Sequence, residues 1–335
     1  MKNNPVNIII SRTDSIGDVV LTLPVATVLK KYFPEIKIGF MGKAYTRPVI
    51  EACTSIDDFV DVNDFLNSEV IINGQKPDAI LHVLPVAAIA ERAKKLKIPT
   101  RIGTTNRLYH WLTCNKLIKL SRKNSPLHEA QLNLKLLEAF GINKEFSLEE
   151  IGKLFALNNL QPLPYKFASL IDKSKFNLIL HPKSQGNGRE WGLENFIKLI
   201  RLLDKDKYKI FISGVEKERQ LLQPVFDEVG EIVTDLTGVM NLDEFMSFIA
   251  ASDGLIASGT GPIHLAAALG IHAFGIYPPI RPIHPGRWAP LGAKAKVFVI
   301  NKTCNDCKGK PATCHCISEV NPEWLKDSLD KIAVS

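Results

Sequence analysis

Short apolar runs alternate with amphipathic stretches along most of the chain. Val6 to Ile10 reads as a strand, followed by the polar turn Ser11-Arg12-Thr13-Asp14-Ser15. A helix is predicted from about Gly17 to Tyr32, with Pro24 as a site for a bend because it has no N–H to donate. Ile36 to Met41 and Ala79 to Val83 are further strands. Leu127 to Phe140 reads as a helix closed by Gly141, a residue type suited to the position just past a helix. The segment Thr104 to Ser125 breaks this rhythm. It sets Tyr109, His110 and Trp111 among scattered basic residues and reads as an insertion or a loop-and-helix excursion.

The second half repeats the alternation more cleanly. Strands are predicted at Asn177 to Leu180, Lys209 to Ile212, Gly254 to Ala257 and His272 to Tyr277. Leu193, Phe196, Ile197, Ile200 and Leu203 recur at helical spacing, as do Leu221, Leu222, Val225, Phe226 and Val229. Leu242 to Ala251 and Pro262 to Leu269 supply two more helices. Apolar strands separated by helices of about three turns indicate a mostly parallel sheet covered on both faces. Asn158 to Tyr165, with Pro162 and Pro164, reads as a linker. The expected architecture is α/β, with two Rossmann-like domains, 1–160 and 161–320, facing across a cleft. A C-terminal helix within 321–335 is expected to pack back toward the first domain. Ligands in such sheets lie beyond the carboxyl ends of the strands, which directs attention to the loops there.

Length and composition agree with two globular domains. The chain has 335 residues, 45% hydrophobic and 23% charged. Ile8 to Ile10 is too brief to span a bilayer, and Val19 to Val28 is interrupted by Thr22, Pro24 and Thr27. The N-terminus lacks the order of basic region, apolar core and cleavage site that marks a secretory signal, so a cytoplasmic location is expected. The net charge of +7 includes Lys94, Lys95 and Lys97, then Lys116, Lys119, Arg122 and Lys123. Such stretches suit phosphates or an anionic surface as well as a solvated face. No nucleic-acid module accompanies them, and no nucleic-acid partner is expected.

Four of the six cysteines cluster as Cys304-x-x-Cys307 and Cys314-x-Cys316. Four thiolates at this spacing can bind a structural zinc ion, while unligated thiols or a disulfide also fit.

The strongest local signal is Ser258-Gly259-Thr260-Gly261-Pro262-Ile263-His264, between a strand and a helix. Thr260 is placed to cap, and Pro262 suits an early helical position. Backbone N–H groups at such a helix start favour an anion, although a tight turn without a ligand has the same residues. Asp18 follows Gly17 where a helix begins, with Arg12 and Asp14 close by. It is either a helix-start stabiliser or a carboxylate able to take a proton from an acceptor hydroxyl. His181, Lys183, Arg189 and Trp191 flank the helix beginning near Leu193. Arg189 can neutralise a diphosphate, with Trp191 either beneath it or in the core. The Gly-x-x-x-x-Gly-Lys-Ser/Thr loop and the Gly-x-Gly-x-x-Gly fingerprint after the first strand are both missing, which argues against an ATPase and a dehydrogenase. No Asp-x-Asp pair for a metal-bound diphosphate stands out, so catalysis is expected to need no divalent metal.

Two of these segments together resemble the lipopolysaccharide heptosyltransferases, glycosyltransferases that use ADP-heptose. The first signature is Arg12-Thr13-Asp14-Ser15-Ile16-Gly17-Asp18 followed by Leu23-Pro24. The second runs from Gly259 to Gly270, and the resemblance covers nearly the whole chain. It implies a GT-B fold and inverting transfer from ADP-heptose to a lipid-linked lipopolysaccharide core sugar. It also implies work at the cytoplasmic face of the inner membrane through peripheral contact, with no catalytic cofactor. By motif, Asp18 takes the role of the catalytic base. Arg189 takes that of a donor-phosphate contact, usually lysine, with Lys183 beside it. Glu218 corresponds to the acid that binds the donor ribose, Glu216 being close by. Met240 corresponds to a backbone contact with adenine, and Thr260, Gly261 and Pro262 to the diphosphate loop. Many members carry an acid where this chain has Gly259. Two other classes fit the bare residues, a nucleotide-sugar epimerase and a noncatalytic glycan-binding protein. Acceptor-dependent transfer separates both from a transferase.

Overall fold

The computed structural model describes residues 6–123, 125–184, 188–302 and 315–333. The chain divides into two compact units, Met1–Asn159 and Leu160–Ser335.

The first unit is built on a six-stranded parallel sheet. Its strands are β1 (Asn7–Ser11), β2 (Lys37–Gly42), β3 (Asp58–Asp61), β4 (Ala79–His82), β5 (Thr100–Thr104) and β6 (Lys116–Ile118). Their spatial order is β3-β2-β1-β4-β5-β6. Ile8 of β1 pairs with Ile38 on one side and Ala79 on the other, so β1 is buried along its whole length. That position explains an unbroken Ile8-Ile9-Ile10 run in place of apolar–polar alternation.

The second unit repeats the plan with β7 (Phe176–His181), β8 (Tyr208–Ile212), β9 (Val233–Asp235), β10 (Gly254–Ser258), β11 (His272–Ile276) and β12 (Ala295–Phe298). The order β12-β11-β10-β7-β8-β9 is the same topology read from the other edge. In each sheet the connections reverse direction beside the central strand, between β1 and β4 and between β7 and β10. Loops leaving the carboxyl ends of those strands diverge there and open a crevice.

Three expectations change. The helix predicted over Gly17 to Tyr32 is two, Ile16–Val20 and Leu23–Tyr32. Pro24 cannot donate to the preceding turn and its ring crowds it. Thr22 turns the break to use, its hydroxyl donating to the Asp18 carbonyl at 2.8 Å. The segment from Thr104 to Ser125 is not an excursion from the sheet. It carries the end of β5, the helix Leu108–Thr113 and the edge strand β6. The helix expected over Leu127 to Phe140 is an α-helix at Glu129–Lys135 tightening into a 3₁₀ turn at Leu136–Phe140, and Gly141 closes it at φ +83°. The C-terminal helix, Pro322–Ala333, packs within the second unit. Leu325 and Leu329 are buried in the core of the second unit with Phe196, Leu199 and Trp191.

Trp191 is itself a core residue. Its ring meets Phe196 edge-on at 4.9 Å, and its indole N–H donates to the Val320 carbonyl at 2.8 Å. Among the described residues no helix is long and apolar enough to cross a membrane.

Candidate functional site

The turn after β1 gathers a compact ionic cluster. Arg12 is only 3% exposed and lies among three carboxylates. Its Nε donates to Asp14 at 2.7 Å, one Nη to Glu129 at 3.0 Å, and the other Nη to Asp18. Burial works against the guanidinium charge, but Asp18, Asp14 and Glu129 outweigh it and hold its pKa above the ordinary value. Asp18 accepts on its second oxygen from the Ser15 hydroxyl, so both oxygens are oriented by neighbours. Burial pushes the Asp14 carboxyl up to about 6, against the pull of Arg12 and with a further push from Asp18.

Glu129 is the partner that sequence reading misses. It lies 117 residues from Arg12 and is fully buried, bridging Arg12 to Arg122, whose Nε donates to it at 2.9 Å. Asn133, one turn later, donates to the Leu21 carbonyl at 3.1 Å and accepts from Arg122 at 2.9 Å. The helix Glu129–Lys135 thus braces the turn holding Asp18. His82, at the end of β4 on the other side of this switch point, is fully buried, and burial pulls its pKa down to about 3. It stays neutral near pH 7, and among the described residues neither ring nitrogen has a hydrogen-bond partner.

In the second unit, the residues singled out by sequence follow four successive strands. Lys183 and Arg189 lie after β7, Glu218 after β8, Met240 after β9, and Thr260, Gly261 and Pro262 after β10. Parallel strands put all of them at one sheet edge. The β7 and β10 loops touch: a Cβ built on Gly188 would stand 3.2 Å from the Gly259 carbonyl oxygen. Lys183 is ion-paired with Glu190, which also accepts from the Ser184 amide at 2.9 Å. That pairing leaves Arg189 as the less committed cation. Glu218 is buried, and one of its oxygens accepts from the Val215 amide at 2.9 Å. Glu216 instead faces solvent and is held by Arg219 at 3.0 Å. Met240 lies two strands from the β7–β10 crevice, just before the helix Leu242–Ala251.

The helix Gly261–Ala268 begins without a side-chain cap. Thr260 is at the N-cap position, but its hydroxyl does not bond back to the helix, contrary to the capping expected of it. Among the described residues, Thr260 Oγ1, Ser258 Oγ and Arg189 Nε are buried polar atoms with no hydrogen-bond partner. A buried polar group without a partner costs roughly 1–3 kcal/mol, so a cluster of them beside open helix N–H groups has the chemistry to suit an anion. Gly259 has its own reason. A Cβ there would meet the Tyr277 ring at 2.7 Å, and one on Gly275 would meet its other edge at 2.6 Å. Tyr277 is buried, its hydroxyl donating to the Trp288 carbonyl at 2.6 Å.

Cys304, Cys307 and Cys314 lie outside the described residues, while Cys316 is buried. Among the described residues no group of three or more His, Cys, Asp and Glu is placed to hold a metal ion.

Comparison with known proteins accords with this arrangement. A Haemophilus influenzae protein that carries a provisional glycosyltransferase name is 25% identical over 303 residues, covering 85% of this chain and 86% of its own. The crystal structure of a glycosyltransferase family 9 protein from Veillonella parvula matches with a TM-score of 0.78 at 18% identity, over 100% of this chain and 99% of that one. The E. coli ADP-heptose lipopolysaccharide heptosyltransferase II matches with a TM-score of 0.76 at 16% identity, over 98% of each chain. These two likenesses establish the fold, two parallel α/β sheet units of the GT-B kind. The family model of glycosyltransferase family 9 (heptosyltransferase) matches residues 85–318, well over half of the chain. The chain therefore belongs to glycosyltransferase family 9, the heptosyltransferases, and is a glycosyltransferase.

Proposed function

We propose that this enzyme transfers a heptosyl group from ADP-heptose to a hydroxyl of a lipid-linked lipopolysaccharide inner-core sugar, with inversion. The chemistry divides between the two units. In the second, Arg189, the open helix start at Gly261 and the hydroxyls of Ser258 and Thr260 receive the donor diphosphate. Glu218 takes the ribose and the backbone at Met240 the adenine, while Lys183 orders the loop through Glu190. In the first, Asp18 accepts the proton of the acceptor hydroxyl.

The acceptor oxygen attacks the anomeric carbon as the bond to the diphosphate oxygen breaks. The electron pair leaves with that oxygen, and the proton goes to the Asp18 carboxylate. ADP departs already charged, so Arg189 and the helix start stabilise it without a second acid of the kind a glycosidase needs. On this reading Arg189 and the helix start also take the place of a divalent metal. Such an acceptor places the enzyme at the cytoplasmic face of a membrane.

The observation that carries this reading is the uncapped helix start at Gly261, with buried Thr260, Ser258 and Arg189 atoms lacking partners among the described residues. The test is a transfer assay with ADP-heptose beside UDP- and GDP-sugars, with and without a lipopolysaccharide-core acceptor and with a chelator. Acceptor-dependent product from ADP-heptose, undiminished by chelator, is expected. Donor consumption that ignores the acceptor, or a strong preference for another nucleotide, would overturn it.

A further inference from the structure

Residues 87–123 hold ten Lys and Arg against one acidic residue, Glu91, a net charge of +9, whereas the whole chain carries +7. The protein's positive charge is therefore concentrated in one segment. This segment also holds the helix Leu108–Thr113, which follows β5.

The helix is fixed from its inner side. His110 is fully buried, its Nδ1 accepting from the Thr104 amide at 2.9 Å, and Tyr109 packs edge-on against its ring at 4.7 Å. Lys94 donates to the Leu112 carbonyl at 2.9 Å, and Arg101 Nε to the Thr113 carbonyl at 2.7 Å. With that face anchored, the outer face presents Leu108, 88% exposed, Leu112, 75%, and Trp111, 60%. The Trp111 indole N–H is satisfied by the Thr105 carbonyl at 3.0 Å, which leaves the ring as apolar surface. Exposed Lys94, Lys95, Lys97 and Arg107 accompany these three side chains. A merely solvated basic face has no use for three large exposed apolar groups on six residues.

We propose that this face docks on an anionic lipid bilayer, Leu108, Trp111 and Leu112 entering the headgroup–acyl boundary while the basic residues meet lipid phosphates. A second copy of the chain is a poor occupant, because a twofold contact would set one +9 segment against another. His110 is buried and takes no part, which leaves the contact to Leu108, Trp111 and Leu112. The helix leaves the carboxyl end of β5, the edge of the sheet at which Asp18 follows β1. Two strand spacings separate β5 from β1, roughly 10 Å. Docking there holds a lipid-linked acceptor beside the proposed base. This purpose rests on the proposed function, whereas the surface itself stands on exposure and charge.

The test is co-sedimentation with phosphatidylcholine vesicles, with and without phosphatidylglycerol, using the full chain and Leu108→Ser/Leu112→Ser. Both side chains are exposed, so unchanged thermal melting is expected of the variant. The wild-type chain should bind only vesicles containing phosphatidylglycerol and be released by salt. The double variant should bind on the order of tenfold or more weakly. Wild type and variant should transfer equally to a water-soluble, delipidated acceptor. Sedimentation indifferent to phosphatidylglycerol or to the double substitution would overturn the proposal. So would a dimer dissolved by the substitution, or RNA binding in place of vesicle binding. Absent transfer to the soluble acceptor with vesicle binding intact would sink the proposed reaction and leave this surface standing.

Discussion

The two switch points share a topology and are finished in opposite ways. After β1, charge is matched by charge: Arg12 is ringed by Asp14, Asp18 and Glu129, and Asp18 is held from both sides. After β7 and β10, polar atoms are left without partners among the described residues, and a helix begins uncapped. The first arrangement suits a group that must act from a fixed position, since its orientation is settled before any substrate arrives. The second suits a group that must receive something, because the ligand supplies the missing bonds. One crevice is completed by the protein, and on the proposed reading the other is completed by its substrate.

The largest test of this contrast is Asp18→Asn. Loss of a general base commonly costs ~10²–10⁴-fold in turnover, so kcat should fall by that order while calorimetric donor affinity stays unchanged. A parallel loss of donor affinity would erase the division of labour. Arg189→Ala should do the reverse. A hydrogen bond to a charged group contributes about 1.5–3 kcal/mol, so donor Kd should rise by roughly 10–150-fold. Unchanged Kd and unchanged kcat would remove Arg189 from the proposed anion site.

Thr260→Ala sharpens the point through opposite signs. Donor affinity should drop by about 2–10-fold, the value of a neutral hydrogen bond, while the ligand-free protein melts at the same or a higher temperature. A cap lost in the free protein would instead lower the melting temperature. A further test concerns stability alone, at Asp14. Its folded-state pKa of about 6 lies above the ordinary 3.8, so the folded chain holds this proton more tightly than the unfolded one. The stability it contributes is complete below about 3.8 and is lost as pH rises through about 6. Asp14→Asn should therefore flatten the pH dependence of the melting temperature between pH 4 and 7, and identical profiles would contradict the assignment.

What the sequence made legible follows from where side chains are buried. Ile8 to Ile10 and Leu178 to Leu180 lie on central strands, buried on both faces, and their apolar runs mark them plainly. β3, β6 and β9 are three or four residues long and lie at sheet edges, with Asp58, Lys116 and Asp235 among them, so no run reveals them. Ser258 to His264 announced a strand-to-helix turn, yet spacing could not say that Thr260 leaves its cap unmade. Glu129 looked like any acid in a first helical turn. Only the fold, closing 117 residues, makes it the brace of Arg12. The C-terminal helix was legible as amphipathic, but which core its Leu325 and Leu329 enter depends on three-dimensional neighbours.

The Tyr277 ring, gripped between Gly259 and Gly275, orders the history open to this protein. A side chain at 259 collides with the ring, and a smaller residue at 277 gives up the bond to the Trp288 carbonyl. Exchange at either position alone thus passes through a crowded or a loosened intermediate. An acid at 259 therefore calls for a different residue at 277 as well, the two positions being linked across a stability valley.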